Sequence, residues 1–238
     1  MISVIEYYAK ALTKSRASLI SFAVRPLSFI FLLTVVSGGK LFPTALIGGM
    51  ISFVAGVGIA DLAIEIAGMK TRSKFYDILS TLPVHPLKLG LGISVGMSIP
   101  ALPYLVILIV TLTYVRGLSL LRIAQIILLL AFLWLWSVFV GLYISVKLKE
   151  PIIIMRVLNI TLTALTVFVP VYYPMKFFQT FPHKIILFLP TTSCAYLICP
   201  LYEPLSEWKI ALTSLTFWSL GIGVFKEELT LEGTTRHF

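Results

Sequence analysis

Charge is scarce in this chain. Only 12% of its 238 residues are charged, against 58% hydrophobic, and the mean hydropathy of +1.00 lies far outside the range of a water-soluble domain. No large soluble domain is left over once the apolar runs are set aside. Chemistry-bearing residues are equally thin. The three histidines, His85, His183 and His237, fall in separate connections and none belongs to an HExxH pattern. The two cysteines, Cys194 and Cys199, have four residues between them, which is no metal spacing, and two ligands do not complete a zinc site. They form a disulfide if their loop faces an oxidising compartment and remain two thiols otherwise. No GxxxxGK[ST] occurs, so any ATP is handled by another chain. No serine or cysteine stands beside a histidine, which leaves nucleophilic catalysis with little support.

What the chain does have is apolar length. A membrane span needs about 20 mostly apolar residues, and several such runs follow one another with short polar connections. Residues 1–16 place Ile2, Ile5, Ala9 and Leu12 apart from Lys10, Lys14 and Arg16, the pattern of a helix lying in the interface. They lack a small-residue cleavage site, so the reading is of a retained N-terminus. A first span is expected over 19–36, interrupted at Arg25-Pro26, with Arg25 snorkelling to the nearer surface or lining a pathway.

A second span is expected over 44–60. Gly48, Ser52, Gly56 and Ala60 recur every four residues on it, a stripe that admits another helix closely. The third, over 89–114, repeats the device with Gly92 and Gly96 and then meets Pro100 and Pro103, which remove backbone donors and bend it. A fourth over 123–146 carries Trp134 and Trp136 as packing residues, and a fifth over 152–171 has Arg156 near its start. Asn159-Ile160-Thr161 matches the glycosylation tripeptide but falls inside that span. Over 172–208 five prolines interrupt two apolar pieces, 184–189 and 194–199, too short to cross and expected to be re-entrant. A last span over 210–225, anchored by Trp208 and Lys226, leads to a polar tail at 226–238. The fold class is therefore all-α integral membrane with six transmembrane helices, the whole of 1–238 forming one domain.

The net charge of +9 follows from topology. Lys and Arg are spread through the connections and not gathered on one face with aromatic platforms, so nucleic acid is not a partner. One side collects Lys10, Lys14, Arg16, Arg25, Lys70, Arg72, Lys74, Lys88, Lys147, Lys149, Arg156, Lys226 and Arg236. The other collects Lys40, Arg116, Arg122, Lys176, Lys184 and Lys209. The positive-inside rule makes the richer side cytoplasmic, with both termini there, in a multi-pass protein of the cell membrane. Asp61 and Glu65 stand four apart on one face at the cytoplasmic end of the second span, where such a pair could capture a cation or shuttle protons, but ion pairs with Lys70, Arg72 and Lys74 at the membrane edge account for them without any function.

Between the second and third spans lies a basic amphipathic segment, 68–88, on the cytoplasmic side. Phe75, Ile78, Leu79 and Leu82 fall at i, i+3, i+4 and i+7, while Lys74, Asp77, Ser80 and Thr81 fill the other face. Ser73 caps the helix and Pro83 and Pro86 stop it. It lies on a membrane surface, touching lipid alone or a docked soluble partner.

In order along the chain, the Arg25-Pro26 start, IADLAIEIAGMKTRSKFYDILSTLPVHPLKLGLG, the third-span prolines and the late YYPMKFFQTFPHKIILFLPTTSCAYLI resemble the membrane-spanning permease of type-2 ABC exporters. The resemblance covers essentially the whole chain. It implies that the segment around Lys74, Phe75, Asp77, Ile78, Leu79 and Leu82 is the coupling helix gripped by a separate ATPase subunit. It also implies that 172–208 forms re-entrant helices on the outer side. ATP and Mg would be bound by the partner ATPase, this chain holding no cofactor, and a second permease, like or unlike, would complete the pathway. One departure stands out: many members approach the coupling helix through Gly-Thr-hydrophobic-Glu, whereas here the approach is Arg72-Ser73-Lys74-Phe75. Two readings of other classes remain beside it, a membrane enzyme acting on lipid or isoprenoid substrates and a non-transporting scaffold.

Overall fold

The computed structural model describes residues 2–72, 86–148, 150–168, 171–172, 183–198 and 208–220. Those residues are nearly all helical and hold no strand. In order they form α1 (Ile2–Lys14), α2 (Arg16–Val36), α3 (Phe42–Ala55), a π-helical turn (Gly56–Asp61) and α4 (Leu62–Arg72). After α4 come α5 (Pro86–Ser98), a 3-10 turn (Ile99–Ala101), α6 (Leu102–Arg116), α7 (Leu120–Lys147) and α8 (Pro151–Thr166). Two short helices, α9 (His183–Leu187) and α10 (Pro190–Ile198), precede α11 (Trp208–Leu220).

Among the described residues four helical stretches are long and apolar enough to cross a bilayer, which is the mark of a membrane protein: Arg16–Val36, Phe42–Met69, Lys88–Arg116 and Leu120–Lys147. The sequence reading places six spans; the fifth is shorter here, and of the last, expected over 210–225, the described residues end at Leu220. α8 has 16 residues and rises about 24 Å, short of the ~30 Å hydrocarbon core, and α11 has 13 described residues. The first span is one unbroken helix that runs through Arg25 and Pro26. The third does break at its prolines. A 3-10 turn carries Pro100, and Pro103 opens the helix that follows, where its missing N–H costs nothing. The late apolar pieces are α9 and α10, joined by a bond from the Ser193 hydroxyl to the Leu187 carbonyl.

The second span is the hub of the bundle. Buried residues make up 83% of its most apolar window, against 17% for α2. A helix apolar all round has no polar face to give to solvent, and it settles in the centre. α2, α6, α7, α8 and α10 surround it. Met50, Ile51, Ile59 and Leu133 are fully enclosed there. α1 lies along α5, where Tyr8 joins Leu62, Ile66, Met69, Ile93 and Met97 in a separate apolar cluster. Gly38 and Gly39, both at positive φ, make the reversal between α2 and α3.

Candidate functional site

Polar side chains inside an apolar bundle are expensive, and two carboxylates, Asp61 and Glu65, share one face of the second span with Ser52. At its start Ser52 bonds the Tyr172 hydroxyl, and the Tyr172 ring covers the place a side chain would take at Gly48. One turn further, the Arg25 guanidinium crosses Gly56, its Nη1 lying 2.9 Å from where a Cβ would stand. It then donates to both oxygens of Asp61, at 2.9 Å from Nη1 and 2.8 Å from Nη2. Beyond Asp61, Glu65 meets the Tyr8 hydroxyl. That hydroxyl also donates to the Met69 sulfur at 3.0 Å. Burial, with the Glu65 charge beside it, holds the Tyr8 phenol well above its ordinary range, so it stays a neutral donor.

The π turn explains how these groups line up. In a regular α-helix Asp61 would sit about 140° around the axis from Gly56, and Ala60 would fill the stripe instead. The wider turn over Gly56–Asp61 absorbs one extra residue, so the face runs Ser52, Gly56, Asp61, Glu65. Asp61 therefore pairs with Arg25 from the first span; the side chains of Lys70, Arg72 and Lys74 lie outside the described residues. Arg25 is correspondingly held inward, about midway along the 21 residues of α2. The opposite side of the π turn is pressed against α7. A Cβ on Gly58 would stand 2.5 Å from that of Ser137, and one on Gly141 would collide with the Gly58 carbonyl. These two glycines make the close backbone approach between helices. Gly48 and Gly56 admit side chains.

Gly96 receives α1, since its missing Cβ would lie 2.8 Å from both the Ile5 carbonyl and the Tyr8 Cβ. Gly92 is buried on α5. Lys74, Phe75, Asp77, Ile78, Leu79 and Leu82, expected from the resemblance to form a coupling helix, lie outside the described residues, as do His85 and His237. Beside the break in the third span is an apolar cavity of about 300 Å³, walled by Phe53, Val57, Leu102, Leu105 and Trp134 among others. Its polar groups satisfy each other, Trp134 Nε1 donating to Ser98 Oγ at 2.9 Å.

Comparison with protein-family models, curated proteins and solved structures finds no match. The site thus rests on its own geometry. Among the described residues no three His, Cys, Asp or Glu side chains gather as metal ligands. What the arrangement can do is mechanical and electrostatic: it fixes α2 to the second span through a paired charge and fixes the rotation of α4 relative to α3. Sequence spacing missed Arg25–Asp61, Tyr172 and the Gly58–Gly141 crossing. One signal was present: an acid five residues beyond Gly56, where the four-residue stripe places Ala60.

Proposed function

We propose that this chain is the membrane-spanning subunit of an ATP-driven type-2 ABC exporter, forming the cargo pathway with a second permease and driven by separate ATPase subunits. In this reading it is multi-pass in the cell membrane, with six spans and both termini cytoplasmic. ATP and Mg belong to the partner. The observation that carries the proposal is the build of the second span. Its 28 residues from Phe42 to Met69, mostly apolar, rise about 40 Å, more than the ~30 Å hydrocarbon core. The helix therefore reaches past the bilayer toward the amphipathic segment 74–82, and the third span returns from the far side of that segment. A rod stapled to its neighbours at Asp61 and Gly58 transmits a push along its length as a nearly rigid body.

Docking energy in this reading comes from the apolar face of that segment. Burying a Phe, Ile or Leu side chain contributes about 1.5–3 kcal/mol. The test is isolation from the native membrane: an ATPase subunit copurifies with the wild-type chain and is lost from Leu79→Asp, with membrane insertion unchanged. Crosslinkers at Phe75 and Leu82 that capture phospholipid and never a nucleotide-hydrolysing protein overturn the proposal.

A further inference from the structure

α8 turns a polar stripe outward. Ile154 and Leu158 are fully buried against the bundle, whereas Ile152, Arg156, Asn159, Ile160 and Thr163 are exposed. At 100° per residue, Asn159 and Thr163 lie within about 60° and 20° of Arg156, and the buried pair falls on the opposite side. The outward face thus sets Arg156, Asn159 and Thr163 along two turns beside Ile152 and Ile160, which lie within about 40° of Arg156. Among the described residues Arg156 has no acid within ion-pair distance and the Asn159 side chain has no hydrogen-bond partner.

Hydrocarbon offers such groups nothing, and polar residues in spans turn toward protein or a water-filled path. A two-fold contact of α8 on its own copy would set Arg156 against Arg156 at equal depth, uncompensated like charges. A wet wall facing an anion satisfies all three side chains: the guanidinium takes a phosphate or carboxylate in a forked pair, and the amide and hydroxyl hold water. We propose that the Arg156–Asn159–Thr163 stripe lines the cargo pathway and that Arg156 reads an anionic group on an amphiphilic cargo. This rests on the export reading and gives it a substrate class.

The test uses the full chain in vesicles of phosphatidylcholine, with Cys199→Ser as background because Cys194 is buried. Asn159→Cys and Thr163→Cys should react with a membrane-impermeant, negatively charged methanethiosulfonate at least tenfold faster than Met155→Cys, which sits on the flank of the same exposed face. Dodecyl phosphate should slow that reaction at least fivefold, inorganic phosphate and dodecyltrimethylammonium should not, and Arg156→Gln should abolish the protection while Arg156→Lys keeps part of it. Labelling no faster than at Met155→Cys means the stripe faces lipid and overturns the proposal, as does an Asn159→Cys disulfide between copies without labelling. Protection that survives Arg156→Gln overturns the role of Arg156, and protection by inorganic phosphate overturns the amphiphilic cargo. Should no ATPase copurify while labelling and protection hold, the export reading fails and the wet anion-reading stripe stands.

Discussion

Arg25 reaches over Gly56 and holds Asp61 through both carboxylate oxygens, at 2.8 and 2.9 Å. Each partner makes the other tolerable inside the bundle. The Asp61 side chain is only 15% exposed and the Arg25 side chain 39%, so neither is fully solvated without the other. The pair also requires the missing side chain at Gly56 and the extra residue of the π turn. Two sequence-distant segments, Arg25 on α2 and the Gly56–Asp61 turn, thus converge on one contact.

Removing one charge leaves the other stranded, which for buried pairs costs about 3–5 kcal/mol. Because Arg25 is part-exposed, Arg25→Ala and Asp61→Asn are each expected near the bottom of that range, about 3 kcal/mol. Arg25→Lys should restore less than half, since an ammonium cannot make the forked contact. Reversible denaturant unfolding in detergent measures both, and a loss under about 1 kcal/mol for Arg25→Ala contradicts a structural role for the pair.

The π turn behaves as a one-residue insertion, so a deletion inside it should be absorbed. Deleting Ala60 puts Asp61 four positions after Gly56 and turns the segment into regular α-helix with Asp61 still under Arg25. Deleting Met50, in the regular part of the same span, rotates everything beyond it by about 100°. Cysteines at 25 and 61 should crosslink in the first deletion and not in the second.

Glycines on this chain divide by what a methyl would strike. Gly141→Ala drives a Cβ into the Gly58 carbonyl at the α7 crossing and should cost about 1–3 kcal/mol, the usual range for overpacking. Gly68→Ala meets nothing within 4 Å on α4 and should stabilise by up to ~1 kcal/mol through helix propensity. Thermal melts of the two variants should move in opposite directions.

Tyr172 does two jobs that separate cleanly. Its ring covers Gly48 and stacks on Phe29 at 5.2 Å between centroids, while its hydroxyl meets Ser52. Tyr172→Phe should cost about 1 kcal/mol, the worth of one hydrogen bond. Tyr172→Ala should cost about 3–5 kcal/mol, the worth of a buried aromatic. Equal losses in the two variants would mean that the hydroxyl, not the ring, holds that corner.

Spans were legible because hydrocarbon selects composition, and composition is read directly. The runs beginning near Leu19, Thr44, Leu89 and Ile123 all lie in long helices, and Pro100 and Pro103 mark the break in the third because a missing N–H is a local fact. The small-residue stripe was legible as a pattern but not in its use. Counting by fours assumes an unbroken α register, and that assumption placed Ala60 where the π turn puts Asp61. Tyr172 was beyond reach for another reason: 120 residues separate it from Ser52, and nothing local in either names the other.

By itself the sequence determined that this chain is helical, apolar and built for a bilayer, since those follow from residue counts and short-range rules. Only the tertiary structure decided which charges meet. A guanidinium near mid-helix must find its counter-ion among whatever neighbours the packing supplies, and packing here brought α2 against a span whose register had slipped by one residue. Pairing of that kind is set by the three-dimensional arrangement of helices, which no window along the chain contains.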